Sequence, residues 1–344
     1  MSDYQPHQYV SMELEIIPVT SDQFELYLSL QFTPQWQPVG TGRLQLSLQG
    51  GNLRLRLDNA QIVKVISQPQ PGWELIASES TGDLVWLVKS LPSSPSKSLL
   101  ASFTTTTADY QTTATFSPTP AGISFKAIEG LWRHDLSPNK HAVLDRQLAL
   151  CLYKQILFDQ IYAVNKTNPS QVFNLPTITP EILTQLKDVI NQVYNAQTDN
   201  FTELMAMITL NPLVDLAGGN FLATNMNGIQ LNSANLSQTN WRGADLTDAD
   251  LSETDLSYAN LAGADLSGAY FGNANLQHAD LHRASLALAN LIGADLSYAN
   301  LSETNLTQAN FSGATLDGAI FQHNLGLSSE LKQYLQEKGA VLRN

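Results

Sequence analysis

From Leu216 to Phe321 the chain sets a large apolar residue at every fifth position, with no insertion and with one Met and one Trp among the Leu and Phe. Two residues before each centre, from Ala234 to Ala319, stands Ala in fifteen of eighteen cases and Thr at positions 239, 254 and 304. A period of five fits neither the 3.6 of a helix nor the 2 of a strand. A chain that turns a corner every five residues closes a square coil in four pentapeptides, and successive coils stack like strands, about 4.8 Å apart. Both apolar columns then point inward. The interior column is expected to include Leu236, Leu246, Leu251, Leu256, Leu261, Leu266, Phe271, Leu276, Leu281, Leu286, Leu291, Leu296, Leu301, Leu306, Phe311, Leu316 and Phe321. The Ala column leaves these side chains room, and a void or an overfilled site would cost about 1–5 kcal/mol. Asp or Asn before the centre (Asp245, Asp250, Asp255, Asn260, Asp265) and Ser, Thr or Gly after it suit turns. The stack would be about 26 Å long.

The first 130 residues follow a different rhythm. Phe24, Leu26, Leu28, Leu30 and Phe32 alternate as a half-buried strand requires. Leu44, Leu46 and Leu48 mirror Leu53, Leu55 and Leu57 about Gly50-Gly51, which predicts a tight hairpin with all six leucines on one face. Further strands are expected at 10–18, 61–67, 73–79, 83–90, 98–106, 110–117 and 122–129. Eight or nine short strands argue for an antiparallel β-sandwich or a barrel, and the barrel alternative would suit a small molecule or lipid.

Residues 139–197 read as helical. NKHAVLDRQLALCLYKQILFDQIY is apolar around most of its circumference, and TPEILTQLKDVINQVYN opens with Thr179 as N-cap and Pro180 at the first helical position. A stack has two open ends that expose apolar interior and unpaired backbone. FTELMAMITLNPLV reads as a short helix covering one end. GLSSELKQYLQEKGAVL reads as a helix covering the other, with Ser328 as N-cap, Leu331 and Leu335 on one face, and a stop at Gly339. The chain is thus expected to be mainly β in four segments: a β module (1–132), a helical connector with cap (133–213), the five-residue repeat (214–325) and a capping helix (326–344).

Composition narrows the chemistry. A single cysteine, Cys151, allows no disulfide framework or thiolate metal site within one chain. The sequence shows no leader and no apolar run long enough for a membrane span, so a cytoplasmic address and no membrane insertion are expected. No phosphate loop, nucleophile elbow, zinc helix or dinucleotide fingerprint occurs, so the reading is not an enzyme, with no catalytic residue, cofactor or metal. His278 and His282 lie four apart but at different positions of consecutive pentapeptides, and read as surface histidines. Trp132, Arg133, His134, Asp135 and His141 form the densest polar cluster outside the repeat, read as a hydrogen-bonded junction between sheet and helix.

The segment DLSYANLAGADLSGAYFGNANL, residues 255–276, resembles the pentapeptide-repeat family. That resemblance covers about a third of the chain and implies a right-handed quadrilateral β-helix, a solenoid whose interior holds the centre residue and the small residue two before it. The style of the tail is similar to pentapeptide proteins abundant in cyanobacteria. The resemblance does not extend to the N-terminal module. Family members that confer quinolone resistance are acidic rods that resemble duplex DNA and occupy the DNA groove of gyrase. Residues 216–321 carry ten Asp or Glu against Arg242 and Arg283, a net of −8 within the −13 of the chain. Such a field repels nucleic acid. The expected function is a non-enzymatic protein–protein interaction adaptor or scaffold, with a protein partner and no nucleic acid. A DNA-mimic regulator of a protein such as gyrase and a ligand site in the β module are the alternatives. Sites on a stacked scaffold are built from residues twenty apart, so Tyr258, His278 and Tyr298 should form a ladder, with Leu288 and Ile292 as a neighbouring apolar patch.

Overall fold

The computed structural model describes residues 10–32, 36–39, 42–48, 50–70, 73–78, 83–89, 97–105, 110–132, 135–156, 161–164 and 180–343. The chain divides into two compact units, Met1–Leu131 with Cys151–Pro180, and Trp132–Leu150 with Glu181–Asn344. The predicted cap Thr179 and the residues Arg133 and His134 lie outside the described residues.

The first unit is antiparallel. Its strands are β1 (Val10–Pro18), β2 (Gln23–Phe32), β3 (Trp36–Val39), β4 (Gly42–Leu48), β5 (Gly51–Asp58), β6 (Gln61–Val65), β7 (Trp73–Ser78), β8 (Leu84–Val88), β9 (Lys97–Thr104), β10 (Gln111–Pro118), β11 (Ile123–Glu129) and β12 (Ile161–Val164). They form three sheets, in the orders β1-β2-β9-β6, β12-β10-β5-β8-β7 and β11-β4-β3. Among the described residues none of these sheets closes into a barrel. Leu26, Leu28 and Leu30 are fully buried, as the period of two requires, together with Trp73, Trp86, Phe103 and Phe116. The Trp86 indole N–H is satisfied by the Ile66 carbonyl at 2.9 Å.

The hairpin expected at Gly50-Gly51 does not form. Leu44 and Leu48 of β4 pair with Ile128 and Ile123 of β11. Leu53 and Leu55 of β5 pair with Phe116 and Ala114 on one side and with Trp86 and Leu84 on the other. The chain therefore leaves one sheet and enters another across the glycines. A close approach of backbones explains why side chains are excluded there: a Cβ on Gly122 would collide with the Gly50 backbone, and one on Gly51 would stand 2.5 Å from the Ser117 carbonyl. A second difference concerns the first helix, α1 (Pro138–Ile156), which ends before Tyr162. Ile161–Val164 instead pairs with Phe116–Thr113 as the edge strand β12.

In the second unit, eighteen parallel bridges join residue i to i+20, from Asn220–Asn240 to Asn305–Leu325. Leu246 N–H donates to the Asp265 carbonyl at 2.8 Å, and Asp265 N–H donates back to the Ala244 carbonyl at 2.9 Å. Four pentapeptides thus make one coil, and every residue has its counterpart twenty places on. The centres form four columns, headed by Leu216, Phe221, Met226 and Leu231. All seventeen predicted interior residues are buried, Leu256 and Leu276 completely. The Thr residues of the small column donate their hydroxyls to the carbonyl three residues back, as Thr254 does to Leu251 at 2.6 Å, so the polar group is buried without being orphaned.

Both ends are covered. At the first, Phe201 of α3 (Phe201–Met207) packs edge-to-face on Phe221, which stacks on Trp241 inside the next coil. Trp241 donates its indole N–H to Thr239 Oγ1 at 2.7 Å. Val143 and Leu144 of α1 and Val193 of α2 (Pro180–Asn195) join the same apolar cluster. At the other end α4 (Ser329–Glu337) is capped by Ser328 and buries Leu335, while Tyr334 Oη donates to the Phe311 carbonyl at 2.9 Å. Gly339, at φ +84, turns the chain into β14 (Val341–Arg343), which pairs in parallel with β13 (Ile320–Gln322) and extends the ladder.

Candidate interaction surface on the repeat

Outward positions of the stack are set by its turns. The second residue after each centre has positive φ in all twenty-two pentapeptides, and only eight of these residues are Gly. The amide of the following residue donates to the centre's carbonyl, as Ala244 does to Trp241 at 2.9 Å, closing a β-turn of the type that needs positive φ at its third residue. A non-glycine residue held there costs about 1–2 kcal/mol. The Asp or Asn before each centre accepts the amide two residues on: Ser257 to Asp255 at 3.0 Å, Ala262 to Asn260 at 3.1 Å, His282 to Asp280 at 3.1 Å. Either residue type makes this bond, so the carboxylates serve the turn before they serve any charge.

Tyr258, His278 and Tyr298 occupy the positive-φ position of one column, at 61°, 58° and 61°. Their rings stack, with centroids 4.7 and 5.2 Å apart and planes within 19° and 9°. These separations match the rise between coils, so the backbone repeat holds the rings in contact. Tyr298 ends the run against Gly318, where a Cβ would strike the ring. Asp295 lies in the same column. Burial by itself raises its carboxyl, but the Ser297 hydroxyl and amide, the Gln277 amide group and His278 together hold it below the ordinary carboxylate range.

Leu288 and Ile292 are exposed, at 62% and 44%. The structure adds a residue that the sequence reading missed. Tyr270, 51% exposed, stands where most pentapeptides have Asp or Asn and bridges to Asn290, which lies between Leu288 and Ile292. An aromatic ring in a turn-forming column was the available signal. His282 is not in the ladder. It lies 3.9 Å from Glu303, whose carboxyl is lowered chiefly by the Arg283 guanidinium at 2.8 Å.

Elsewhere in this unit, Trp132 donates its indole N–H to His141 Nδ1 at 3.0 Å, whereas Asp135 is exposed. A cleft of about 460 Å³ beside the first coils is lined by Asn139, Asn225, Asn227, Gln230 and Asp199 among others. Asn139 there is held by the Asp199 and Asn225 carbonyls and the Asn225 amide, and no second carboxylate or histidine converges on it. Two ionisable groups on α1 are perturbed. Burial pushes the Asp145 carboxyl up to about 7, against a hydrogen bond from Asn220 that lowers it. Burial likewise lowers Arg146 to about 10, against the Asp215 charge, and its Nε donates to the Asp215 carbonyl. Among the described residues no cluster of His, Cys, Asp or Glu is arranged to hold a metal ion, and no helix is long and apolar enough to cross a membrane.

Residues 224–261, 254–291 and 284–322 match the model of the pentapeptide repeats, in eight copies. Solved structures similar to this chain include a pentapeptide repeat protein of the Arabidopsis thaliana thylakoid lumen, 28% identical over 32% of this chain and 77% of that one, with a TM-score of 0.31. Another is Rfr23 of the cyanobacterium Cyanothece 51142, 25% identical over 36% of this chain and 97% of that one, with a TM-score of 0.30. A third is HetL of Nostoc, a pentapeptide repeat protein involved in heterocyst differentiation regulation, 34% identical over 31% of this chain and 53% of that one, with a TM-score of 0.20. No match is found among curated proteins. The C-terminal region is therefore a run of pentapeptide repeats in a mainly β chain with few helices.

Proposed function

We propose that this protein is a non-enzymatic interaction scaffold of the cytoplasm, in which a right-handed quadrilateral β-helix at about residues 214–325 presents a rigid wall to a protein partner. On this reading residues 1–132 form a sandwich-like recognition module, residues 133–213 a connector and first cap, and residues 326–344 the second cap. The stacked Tyr258–His278–Tyr298 ladder carries the reading, because three rings are kept at backbone positions that glycine fills more cheaply. Tyr and other aromatic side chains are enriched where proteins meet, since they bring large rigid area at low entropic cost. The exposed Leu288 and Ile292 add apolar area to the same rod. The test is covalent cross-linking of the full chain in its native cell, followed by comparison with Tyr258→Ala/Tyr298→Ala. A cross-linked protein that disappears with the double variant supports the scaffold, and an unchanged pattern removes the ladder from it.

The −8 charge of the repeat keeps a second reading in view, mimicry of duplex DNA toward a DNA-binding enzyme. Its charges are unevenly spread: both arginines, Arg242 and Arg283, stand in the column headed by Phe221. A gyrase supercoiling assay with the full chain decides it, and absence of inhibition at micromolar protein removes the idea.

A further inference from the structure

The corner between the columns headed by Met226 and Leu231 is chemically graded along the rod. Its successive rungs are Gly228 with Gln230, Asp248 with Asp250, Gly268 with Tyr270, Leu288 with Asn290, and Gln308 with Asn310, with Ile292 beside the fourth. Acid gives way to an aromatic ring and then to two aliphatic side chains. The Asp248 carboxylate leans over the next coil, since a Cβ placed on Gly268 would collide with its Oδ1. Glycine at 268 therefore leaves the carboxylate its place on the rung that also bears Tyr270. The two columns carry Asp245, Asp248, Asp250, Glu253 and Asp265 and no Lys or Arg. Asp248 and Leu288 both hold positive φ, 56° and 61°, at positions where the same column has Gly228 and Gly268. Leu288 is largely exposed, so burial offsets little of that strain.

We infer that this corner docks a basic segment of a partner protein, one that presents an Arg or Lys to Asp248 and Asp250 and apolar side chains to Leu288 and Ile292. The inference rests on the reading of the repeat as an interaction scaffold and adds to it a docking surface at a different corner from the Tyr258–His278–Tyr298 ladder, with a partner of stated chemistry. Two coils separate Asp248 from Leu288, about 10 Å. An α-helix covers that distance in about six or seven residues, so a basic residue two turns from an apolar anchor matches both ends. Tyr270, on the rung between them, offers its ring to the guanidinium or to the aliphatic stem of a lysine. The ladder of Tyr258, His278 and Tyr298 is less suited to this chemistry, because its ring faces are stacked on one another. The negative field draws a basic partner in and is screened by salt.

The test is a selection of random peptides of about twelve residues on the full-length protein, with affinities of the recovered peptides measured by fluorescence polarisation. Peptides that join Lys or Arg to Leu, Ile, Phe or Trp about six or seven positions away are expected. Their affinity should fall about tenfold or more in Leu288→Gly and in Asp248→Asn/Asp250→Asn, a loss typical of central contacts. It should weaken as salt is raised and stay within about twofold in Tyr258→Ala. Leu288→Gly relieves a strained dihedral, so its loss of binding is not a failure to fold. Recovery of no binder, equal binding of acidic peptides, or unchanged affinity in Leu288→Gly overturns the corner. So does sedimentation showing that the chain pairs with itself through Leu288. Peptides lost in Tyr258→Ala but kept in Leu288→Gly sink the corner while leaving the interaction scaffold standing.

Discussion

Leu55 in the β unit touches strands that arrive from Ala114 and Leu84, whereas Leu266 in the stack has its neighbours in the coils twenty residues before and after. Both leucines are fully buried. The β unit solves a different pairing problem for each strand, with non-local partners and sheets that exchange strands at Gly50-Gly51. The repeat solves one problem and copies it. The contrast extends to the backbone: of the sixteen described non-glycine residues with positive φ, Asn59 alone lies in the β unit, and fourteen lie at the turns of the repeat. The stack thus accepts local strain at fourteen of its turns because twenty-residue periodicity returns the ladder hydrogen bonds and a filled interior.

Length changes should separate the two regions most sharply. Deleting residues 256–275, one complete coil, is expected to leave a folded protein, since Asp255 then continues directly into Leu276 in the same register. Deleting Leu276 alone should unfold the stack, because it moves every later Leu off the interior column. Circular dichroism and limited proteolysis read both outcomes, and a tolerated single deletion would end the claim that register holds the stack. A deletion of twenty residues from β8 and β9 has no equivalent register to fall into and should abolish the first unit.

Removing one ring from the interior is the next largest effect. Phe271→Ala should lower unfolding free energy by about 3–5 kcal/mol in a urea titration, since the coils above and below hold the cavity open. Asp145 comes next and gives an unusual pH dependence. Its carboxyl is raised to about 7 when folded, so the folded state keeps a proton that the unfolded chain has released. Stability from this group is therefore greatest at low pH and declines as pH rises through the window from the ordinary Asp value to about 7. Solvent at the half-buried side chain reduces the full linkage, leaving about 2–4 kcal/mol. Asp145→Asn should make the protein more stable at pH 8 and remove that decline; a fall in melting temperature at pH 8 would contradict it.

Smaller changes probe the turns. Asn275 donates to Asp255 at 3.1 Å and stands between Asp255 and Asp295 in a column that alternates amide and acid. Asn275→Asp would stack three carboxylates at the coil spacing and should cost about 1–2 kcal/mol, shrinking as salt is added. Gln238→Gly, at φ 60°, should instead stabilise by up to about 1 kcal/mol, the relief of a left-handed dihedral less the entropy of glycine. A loss of stability there would show that Gln238 makes contacts worth more than the strain.

Legibility followed the same division. In the repeat, the interior column and the ring ladder could be read from spacing, because twenty residues later the same position recurs, while the flanking helices and Ser328 could be read from helix start and stop signals. The positive-φ position escaped that reading, since residues as different as Tyr, His, Arg, Leu and Glu occupy it and only the backbone reveals it. Tyr270 escaped because its column is defined by Asp and Asn. In the first unit the strands expected at 10–18, 61–67 and 73–79 lie close to β1, β6 and β7, but the apolar run predicts helix where β12 forms. The mirrored leucines about Gly50-Gly51 suggested a partner that the fold does not use.

Local rhythm alone determined which residues of this chain turn inward and, in the repeat, which of them meet, because a period of five closes on itself every twenty residues. Only the tertiary structure decided how β4 and β5 part into different sheets and where β12 and β14 add to existing ladders. Those arrangements depend on contacts between segments far apart in the chain, and no short-range pattern of apolar and polar residues encodes them.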